Sequence, residues 1–351
     1  MFKHASSKFT QKFIQLVEEA NSIVITAHTS PDDDSVASVL GVYAYMKRIF
    51  PSKKTRIIYS GDKVRRYSVF KNYDLIEFVP DMTDHLGNAD LLIMLDGSQY
   101  SRFTQKPEVL REFKGKTVCI DHHSSPIDKF TLTLVDPTSP SNAEIIYRCF
   151  FRDSIEQKEI EIILLGILGD TGVFGYLKPN QLGTFDTAKR LLKQGGIEIQ
   201  EFLSRYSTIQ EKAFEIVREL IKNTKNTKVD GWPPHTFTFI TREWFETGKY
   251  TDAETSEATH LYMTTFLRTL EGHGWGFVVS PETDGTCGIS LRSLPGSVNV
   301  RDMMEKMQLG GGHDRAAGGT FKPSNPGERV KVEDCIAKVV KWMEKNQAIL
   351  S

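Results

Sequence analysis

Val118-Cys119-Ile120-Asp121-His122-His123-Ser124-Ser125-Pro126 is an apolar run that ends in an acid and two imidazoles. Such a pattern reads as a buried parallel strand whose last residues reach the open edge of a sheet, where α/β proteins place their chemistry. Three further segments repeat it. Ile23 to Ala27 runs into His28-Thr29-Ser30-Pro31-Asp32-Asp33-Asp34, Leu91 to Leu95 into Asp96-Gly97-Ser98, and Ile162 to Gly169 into Asp170-Thr171-Gly172. Read as strand ends, four apolar segments each deliver an Asp or a His to one rim. Glu159 and Glu161 in the approach to Asp170 favour a helix or a long apolar element over 159–168, and its end matters more than its type.

The flanking residues supply the rest of an α/β pattern. Phe9, Phe13, Leu16 and Val17 recur at helical spacing, and Ser35 is expected to cap a helix with Val36, Val39, Leu40, Tyr43 and Met46 on its apolar face. Arg56 to Tyr59 reads as a strand, and Lys63, Arg65 and Arg66 after it read as a solvated loop in preference to a phosphate contact. Strands at Ala89–Leu95, Lys116–Ile120 and Leu132–Val135 and helices around Pro107–Phe113 and Ala143–Phe151 continue the alternation, which implies a mainly parallel sheet flanked by helices. A helix stops at Gly195-Gly196, a second runs from about Glu198 to Lys222, and the polar Asn223 to Lys228 ends it. Beyond lie strands at His235–Thr241, Gly276–Ser280 and Thr286–Arg292 and helices at Asp252–Leu270 and Val332–Ile349. At 351 residues two domains are expected. The reading is an α/β N-terminal domain over 1–195, a helical linker over 196–228, and a smaller C-terminal α/β domain over 229–351.

The formal net charge of −1 argues against wrapping long duplex nucleic acid but permits a small anionic substrate in a local pocket. Cys119, Cys149, Cys287 and Cys335 form no Cys-x-x-Cys pair, so neither a thiolate zinc site nor a disulfide framework is indicated, and a reducing compartment is expected. No apolar run approaches membrane-spanning length, and Lys8, Lys12, Glu18 and Glu19 interrupt any signal-peptide core. The expectation is a cytoplasmic protein that engages no membrane.

His28, Asp32 and Asp34 leave one strand within a short loop that can turn all three side chains to the same rim. Adjacent carboxylates repel by about 4 kcal/mol at ~4 Å and an effective dielectric of ~20, and cations relieve that repulsion. Carboxylates with imidazoles and no thiolate suit manganese or zinc, with manganese preferred and magnesium a weaker fit. The donors suffice for two divalent ions, which would activate water for attack on phosphorus without a Ser or Cys nucleophile. In the C-terminal half, the glycines of Leu309-Gly310-Gly311-Gly312-His313-Asp314-Arg315 could let backbone N–H groups converge on an anion as a nest.

These motifs resemble the DHH phosphoesterase superfamily, in order and over almost the whole chain. His28 to Ser38 is similar to its first motif, Asp96-Gly97-Ser98 to its second, Asp121-His122-His123 to the motif that names it, and Gly169-Asp170-Thr171-Gly172 to its fourth. The resemblance implies His28 and Asp32 on one metal, Asp34, His122 and Asp170 on the other, and Asp96 bridging. It implies catalytic roles for His123, facing the phosphate, and Asp121, supporting the site. Ser290-Leu291-Arg292-Ser293 and Gly310 to His313 resemble the DHH-associated C-terminal domain, in which a Gly-Gly-Gly-His loop and an arginine hold the terminal phosphate or base of a nucleotide. Arg292, Gly310, Gly311, Gly312 and His313 are therefore the candidate substrate contacts, with Arg315 a further candidate. Leu309 departs from the pattern, since many relatives have a fourth glycine there. Arg268 and Glu271 read as structural.

Within the superfamily the arrangement is most similar to the stand-alone nanoRNase and pAp-phosphatase group. The implied function is metal-dependent hydrolysis of short oligoribonucleotides such as pGpG or pApA to mononucleotides, with removal of the 3′-phosphate of pAp as a second activity. A cleft between two domains would hold such a substrate. The alternatives are a phosphodiesterase for cyclic di-AMP-type messengers, a manganese pyrophosphatase, which the Gly-His loop disfavours, and a non-catalytic nucleotide-binding protein. A homodimer is compatible with all of them.

Overall fold

In the computed structural model, which describes residues 2–29, 31–325 and 327–350, three of the four acid-bearing segments are neighbouring strands of one sheet. Ser30 of the first motif lies outside the described residues. The strands are β1 (Ser22–Ala27), β2 (Lys54–Ser60), β3 (Ile76–Val79), β4 (Leu91–Leu95), β5 (Lys116–Asp121) and β6 (Leu132–Val135), ordered β3-β2-β1-β4-β5-β6. Every pairing is parallel. The chain winds outward from β1 and then returns to its other side at β4, so the order reverses between these two strands. At such a point the connections diverge and leave a crevice beyond the carboxyl ends. Register puts Ala27 opposite Leu95, and Leu95 opposite Ile120. His28, Asp96 and Asp121 therefore arrive at one level on three adjacent strands. Leu91 to Leu95 is buried throughout, as a strand covered by helices on both faces requires.

The fourth segment is a helix. The helices here are α1 (Phe2–Glu19), α2 (Asp33–Ile49), α3 (Glu108–Arg111), α4 (Asn142–Ile146, continued by a π turn to Phe151), α5 (Gln157–Asp170), α6 (Gly183–Gly195) and α7 (Ile199–Tyr206). Asp170 thus reaches the rim from a helix C-terminus, as Glu159 and Glu161 favoured, and not as a fourth strand end. Helix α5 packs against α2, α4 and α6 together and is apolar on most sides, which erases the period that separates helix from strand. Gly166 and Gly169 let it approach. A Cβ at Gly166 would stand 2.5 Å from the Ala143 Cβ, and one at Gly169 would stand 2.2 Å from the Asp33 Cβ.

Helix α2 begins earlier than expected, because its cap is Asp32 rather than Ser35. The Asp32 carboxylate accepts from the Ser35 N–H at 2.8 Å, while the Ser35 hydroxyl accepts from the Asp32 N–H at 3.0 Å. This reciprocal box orients the run that follows.

The chain divides into two units, residues 1–208 and 209–351, and the break falls inside the segment read as a linker. The single helix expected from Glu198 to Lys222 is two: α7, whose Phe202 and Tyr206 pack on Phe70 of the first unit, and α8 (Glu211–Lys222), which buries Ala213, Ile216, Val217 and Leu220 in the second. The second unit continues with β7 (Lys225–Thr227), β8 (His235–Phe239), α9 (Arg242–Thr247), α10 (Asp252–Thr265), β9 (Trp275–Pro281), β10 (Cys287–Ser293), α11 (Val300–Lys306), β11 (Gly310–His313), β12 (Ala316–Phe321) and α12 (Val332–Lys345). Its sheet runs β11-β12-β10-β9-β8-β7, antiparallel except for β8 with β9. No described helix is long and apolar enough to cross a membrane.

Candidate metal centre

At the carboxyl edge of the parallel sheet, His28 Nε2 lies 3.3 Å from Asp32 Oδ2 and 3.4 Å from Asp96 Oδ2. His122 Nε2 lies 3.2 Å from Asp170 Oδ2, 3.4 Å from Asp96 Oδ1 and 3.7 Å from Asp34 Oδ2. The six residues expected as metal ligands are thus gathered from three strand ends (His28, Asp96, His122), the start of α2 (Asp32, Asp34) and the end of α5 (Asp170). Asp96 joins the two sets through different oxygens: Oδ2 faces His28, and Oδ1 faces His122. Its backbone sits at a φ of 57°, in the left-handed region that Asp tolerates better than most residues and where strain collects at functional sites.

Asp34, Asp96 and His28 are buried, and Asp32 is half exposed. Burial disfavours charge on His28, but Asp32 and then Asp96 outweigh it and push its pKa up from 6.5 to about 10. Desolvation opposes ionisation of Asp32, yet His28 draws it down to about 2. Against burial, His122 and His28 hold Asp96 well below the usual carboxylate range. Asp34, by contrast, is raised well above it by burial and by the facing charges of Asp96 and Asp170. So dense a mixture of like charges at a buried edge is stable only with cations, either protons on the imidazoles or metal ions in their place.

The unsatisfied atoms favour metal. Asp96 Oδ1 and His122 Nε2 are buried without a hydrogen-bond partner, which is costly unless a ligand completes them. Three groups of donors among the described residues lie close enough to share an ion: His28, Asp32 and Asp96; Asp34, His122 and Asp170; and Asp96, His122 and His123. Carboxylate oxygens and imidazole nitrogens without sulfur suit manganese or zinc. The residues therefore fit the divalent ions expected from the sequence. The His122 ring is already oriented, since its Nδ1 lies 3.3 Å from the Ser139 carbonyl and Nε2 is left to face the carboxylates.

Asp121 and His123 are paired through Oδ1 and Nδ1 at 2.6 Å. The same oxygen accepts from the backbone N–H groups of His122 at 2.8 Å and His123 at 3.1 Å, so Asp121 holds the backbone of both imidazoles. Asp34 is braced in the same manner, accepting from the N–H groups of Asn142 and Ala143 at the start of α4. Asn142 went unremarked in the sequence. With its amide oriented to suit its neighbours, it accepts from the Asp96 N–H at 3.2 Å and donates to the Ile120 carbonyl at 3.2 Å.

Arg66 corrects another expectation. It does not belong to a solvated loop: its guanidinium donates to Asp33 Oδ1 at 2.7 Å and lies over the Tyr67 ring, and the Tyr67 hydroxyl donates to the same oxygen at 2.7 Å. A run of three aspartates signalled charge, but nothing local indicated which of the three a distant arginine would take.

In the second unit Gly310, Gly311, Gly312 and His313 form the strand β11 at the sheet edge, paired antiparallel with β12. Their N–H groups alternate in direction as in any strand, so the nest expected there is not formed. The glycines serve close approach instead. A Cβ at Gly310 would stand 2.1 Å from the Gly318 carbonyl oxygen, and one at Gly312 2.5 Å from that of Ala316. His313 pairs with Ala316, and Ala316 pairs with Arg292 of β10. One cross-strand row therefore carries Arg292, the small Ala316 and His313 on the same face, with the outer Cα atoms ~10 Å apart.

Residues 22–167 match the model of the DHH family N-terminal domain, and residues 250–345 match that of the DHHA1 domain. The chain carries a DHH N-terminal domain followed by a DHHA1 domain. Arg292 and Gly310 to His313 fall within the second DHH-type match, while Asp170 lies just beyond the first. Cyclic-di-AMP phosphodiesterase GdpP of Geobacillus thermodenitrificans is 26% identical over 317 residues, which are 85% of this chain and 44% of that protein. Bifunctional oligoribonuclease and PAP phosphatase NrnA of Bacillus subtilis is 25% identical over 331 residues, 91% of this chain and 95% of that protein. The chain thus spans less than half the length of the first relative and nearly all of the second. The crystal structure of an exopolyphosphatase-related protein from Bacteroides fragilis superposes with a TM-score of 0.77 over 96% of this chain and 97% of that one, at 20% identity, a likeness of fold.

Proposed function

We propose that this chain is a phosphodiesterase dependent on two divalent ions, manganese foremost, that hydrolyses short oligoribonucleotides such as pGpG or pApA to mononucleotides and removes the 3′-phosphate of pAp. One observation carries the reading: the Asp96 carboxylate turns Oδ2 to the His28 and Asp32 set and Oδ1 to the His122, Asp34 and Asp170 set. A single carboxylate between two donor sets is the arrangement that two neighbouring ions need. His28 and Asp32 would hold one, Asp34, His122 and Asp170 the other, and Asp96 both. When bound, such ions supply activation of water at neutral pH and offset charge on phosphoryl oxygens.

The remaining roles belong to side chains. Asp121 orients the His123 ring through the Oδ1–Nδ1 contact, which suits His123 to contact a phosphoryl oxygen of the substrate. Arg292 and His313, sharing one face of the second sheet, would hold the far phosphate or base of the nucleotide, the arginine through its planar fork. Coverage of nearly the full length of the oligoribonuclease and PAP phosphatase relative supports linear substrates. Identity to the cyclic-di-AMP phosphodiesterases supports the second reading, a cyclic-dinucleotide phosphodiesterase.

The test is product mass after incubation of the manganese-loaded protein with pGpG, pApA, longer 5′-labelled RNA, pAp, cyclic di-AMP and pyrophosphate. Mononucleotides from the dinucleotides and AMP from pAp are the expected result. Cleavage of cyclic di-AMP with pGpG and pAp untouched would transfer the chain to the second reading. No product from any of them would leave a binding protein.

A further inference from the structure

Asp33 stands between two proposed ligands yet belongs to none of the three carboxylate–imidazole groups. Its carboxylate is taken by Arg66 and by the Tyr67 hydroxyl, each at 2.7 Å, in a pair whose side chains are only 15% and 18% exposed. The Tyr67 ring is fully buried, and the Arg66 guanidinium lies 4.7 Å from its centre. The turn that carries both residues, Arg65–Val69, is followed by Phe70, which is wedged against Phe202 and Tyr206 of α7. On its other side the Asp33 Cβ abuts Gly169, the residue before Asp170.

We propose that Arg66 and Tyr67 are positioning residues of the metal centre: by holding the Asp33 carboxylate they withdraw the middle charge of the aspartate run from the rim. They thereby fix the backbone from which Asp32 and Asp34 reach opposite donor sets. Contact of Asp33 with Gly169 extends that control to the end of α5 that presents Asp170. A third carboxylate loose at the rim would compete for the ions and repel its neighbours. Arginine is suited to prevent this because it stays charged at every working pH and its fork locks geometry as well as charge. The proposal rests on the metal-centre reading and not on the choice of nucleotide.

The experiment is calorimetric titration of the metal-free protein with manganese, without substrate, alongside thermal melting of the same samples. Arg66→Met should raise the manganese Kd about 10- to 100-fold, the range seen when a partner behind a ligand is lost. Asp33→Asn added to Arg66→Met should restore most of the affinity, because no charge is left to withdraw. Arg66→Lys should recover it only in part, and Tyr67→Phe should cost a few-fold. A staple of the fold alone would lower the melting temperature of Arg66→Met and leave its Kd unchanged, which would overturn the proposal. So would a folded double variant that binds as weakly as Arg66→Met. If Arg66→Met does not fold, the double variant and Tyr67→Phe decide: near-native affinity in the first with a loss in the second supports the proposal, and any other pairing overturns it. Since no nucleotide enters the measurement, an error in the substrate assignment leaves this result intact.

Discussion

The rim of the parallel sheet and the β11 edge of the second sheet are both candidate phosphate sites, and they are built in opposite ways. The rim buries charge: Asp34 and Asp96 are inaccessible, two ligand atoms, Asp96 Oδ1 and His122 Nε2, lack a hydrogen-bond partner, and Asp96 sits at positive φ. The edge buries almost nothing, with Gly310, Gly312 and His313 exposed and the backbones brought together by the absence of side chains. An orphaned buried donor is tolerable only if something compact and charged completes it, which points to ions. A row bearing a half-buried arginine and an exposed histidine suits the phosphate or base of a larger, exchangeable ligand. Loss of a rim group should therefore act nearly all-or-none, and loss at the edge should be graded.

Asp96→Asn gives the largest expected effect. Asn tolerates the left-handed backbone, so the change removes charge without backbone strain. Turnover should fall by about 10³-fold or more, and stoichiometric manganese uptake should drop, as read by steady-state kinetics and elemental analysis. Retained activity would mean that Asp96 joins no ions, and the contrast between rim and edge would disappear. His123→Ala should lower kcat by about 10²- to 10³-fold while leaving manganese stoichiometry intact, which separates a group that touches substrate from one that touches metal.

At the edge, Arg292→Ala or His313→Ala should raise KM by about 10-fold and change kcat far less, the signature of binding that is uniform between ground and transition states. Equal losses in kcat would move Arg292 into the chemistry. Removal of metal separates the units differently. Chelation should lower the melting temperature of the first unit alone, since ions at 100 times their Kd stabilise the state that binds them by about 2.7 kcal/mol.

The smallest effect concerns the core of the second unit. His235 is buried beside Trp275, Phe277 and Phe237, and burial pushes its pKa down from 6.5 to about 4. Below pH 6.5 the unfolded chain takes up a proton that the folded one refuses until about pH 4. Stability is therefore lost as pH falls through that window, by about 1–2 kcal/mol at pH 5. Denaturant melts of this unit at pH 7.5 and 5 should show the slope, and His235→Phe should flatten it.

Much of the first unit was legible in the chain. Apolar runs ending in acids identified β1, β4 and β5, because strands buried on both faces must be continuously apolar. Helix α5 was ambiguous for the same physical reason, since a helix enclosed on several sides also loses its polar stripe. Strand β3 went unnoticed because Ile76–Val79 is short and carries Glu77. In the second unit the three consecutive glycines suggested a loop, and only pairing with β12 made them a strand, as glycine has almost no conformational preference of its own. Arg66 was misread because a charge in a loop looks solvated until a partner 33 residues away is folded against it.

Donor chemistry is written in the linear chain: carboxylates and imidazoles, no thiolates, carried at the ends of apolar segments in a recognisable order, already imply divalent ions and a phosphoester. Which Asp96 oxygen meets which imidazole, which of three adjacent aspartates is handed to Arg66, and how Arg292 comes to share a row with His313 could not be read there. Those outcomes depend on strand order, register and helix packing, where a shift of one residue turns a side chain to the opposite face. Contacts between residues tens of positions apart exist only after the chain has closed on itself.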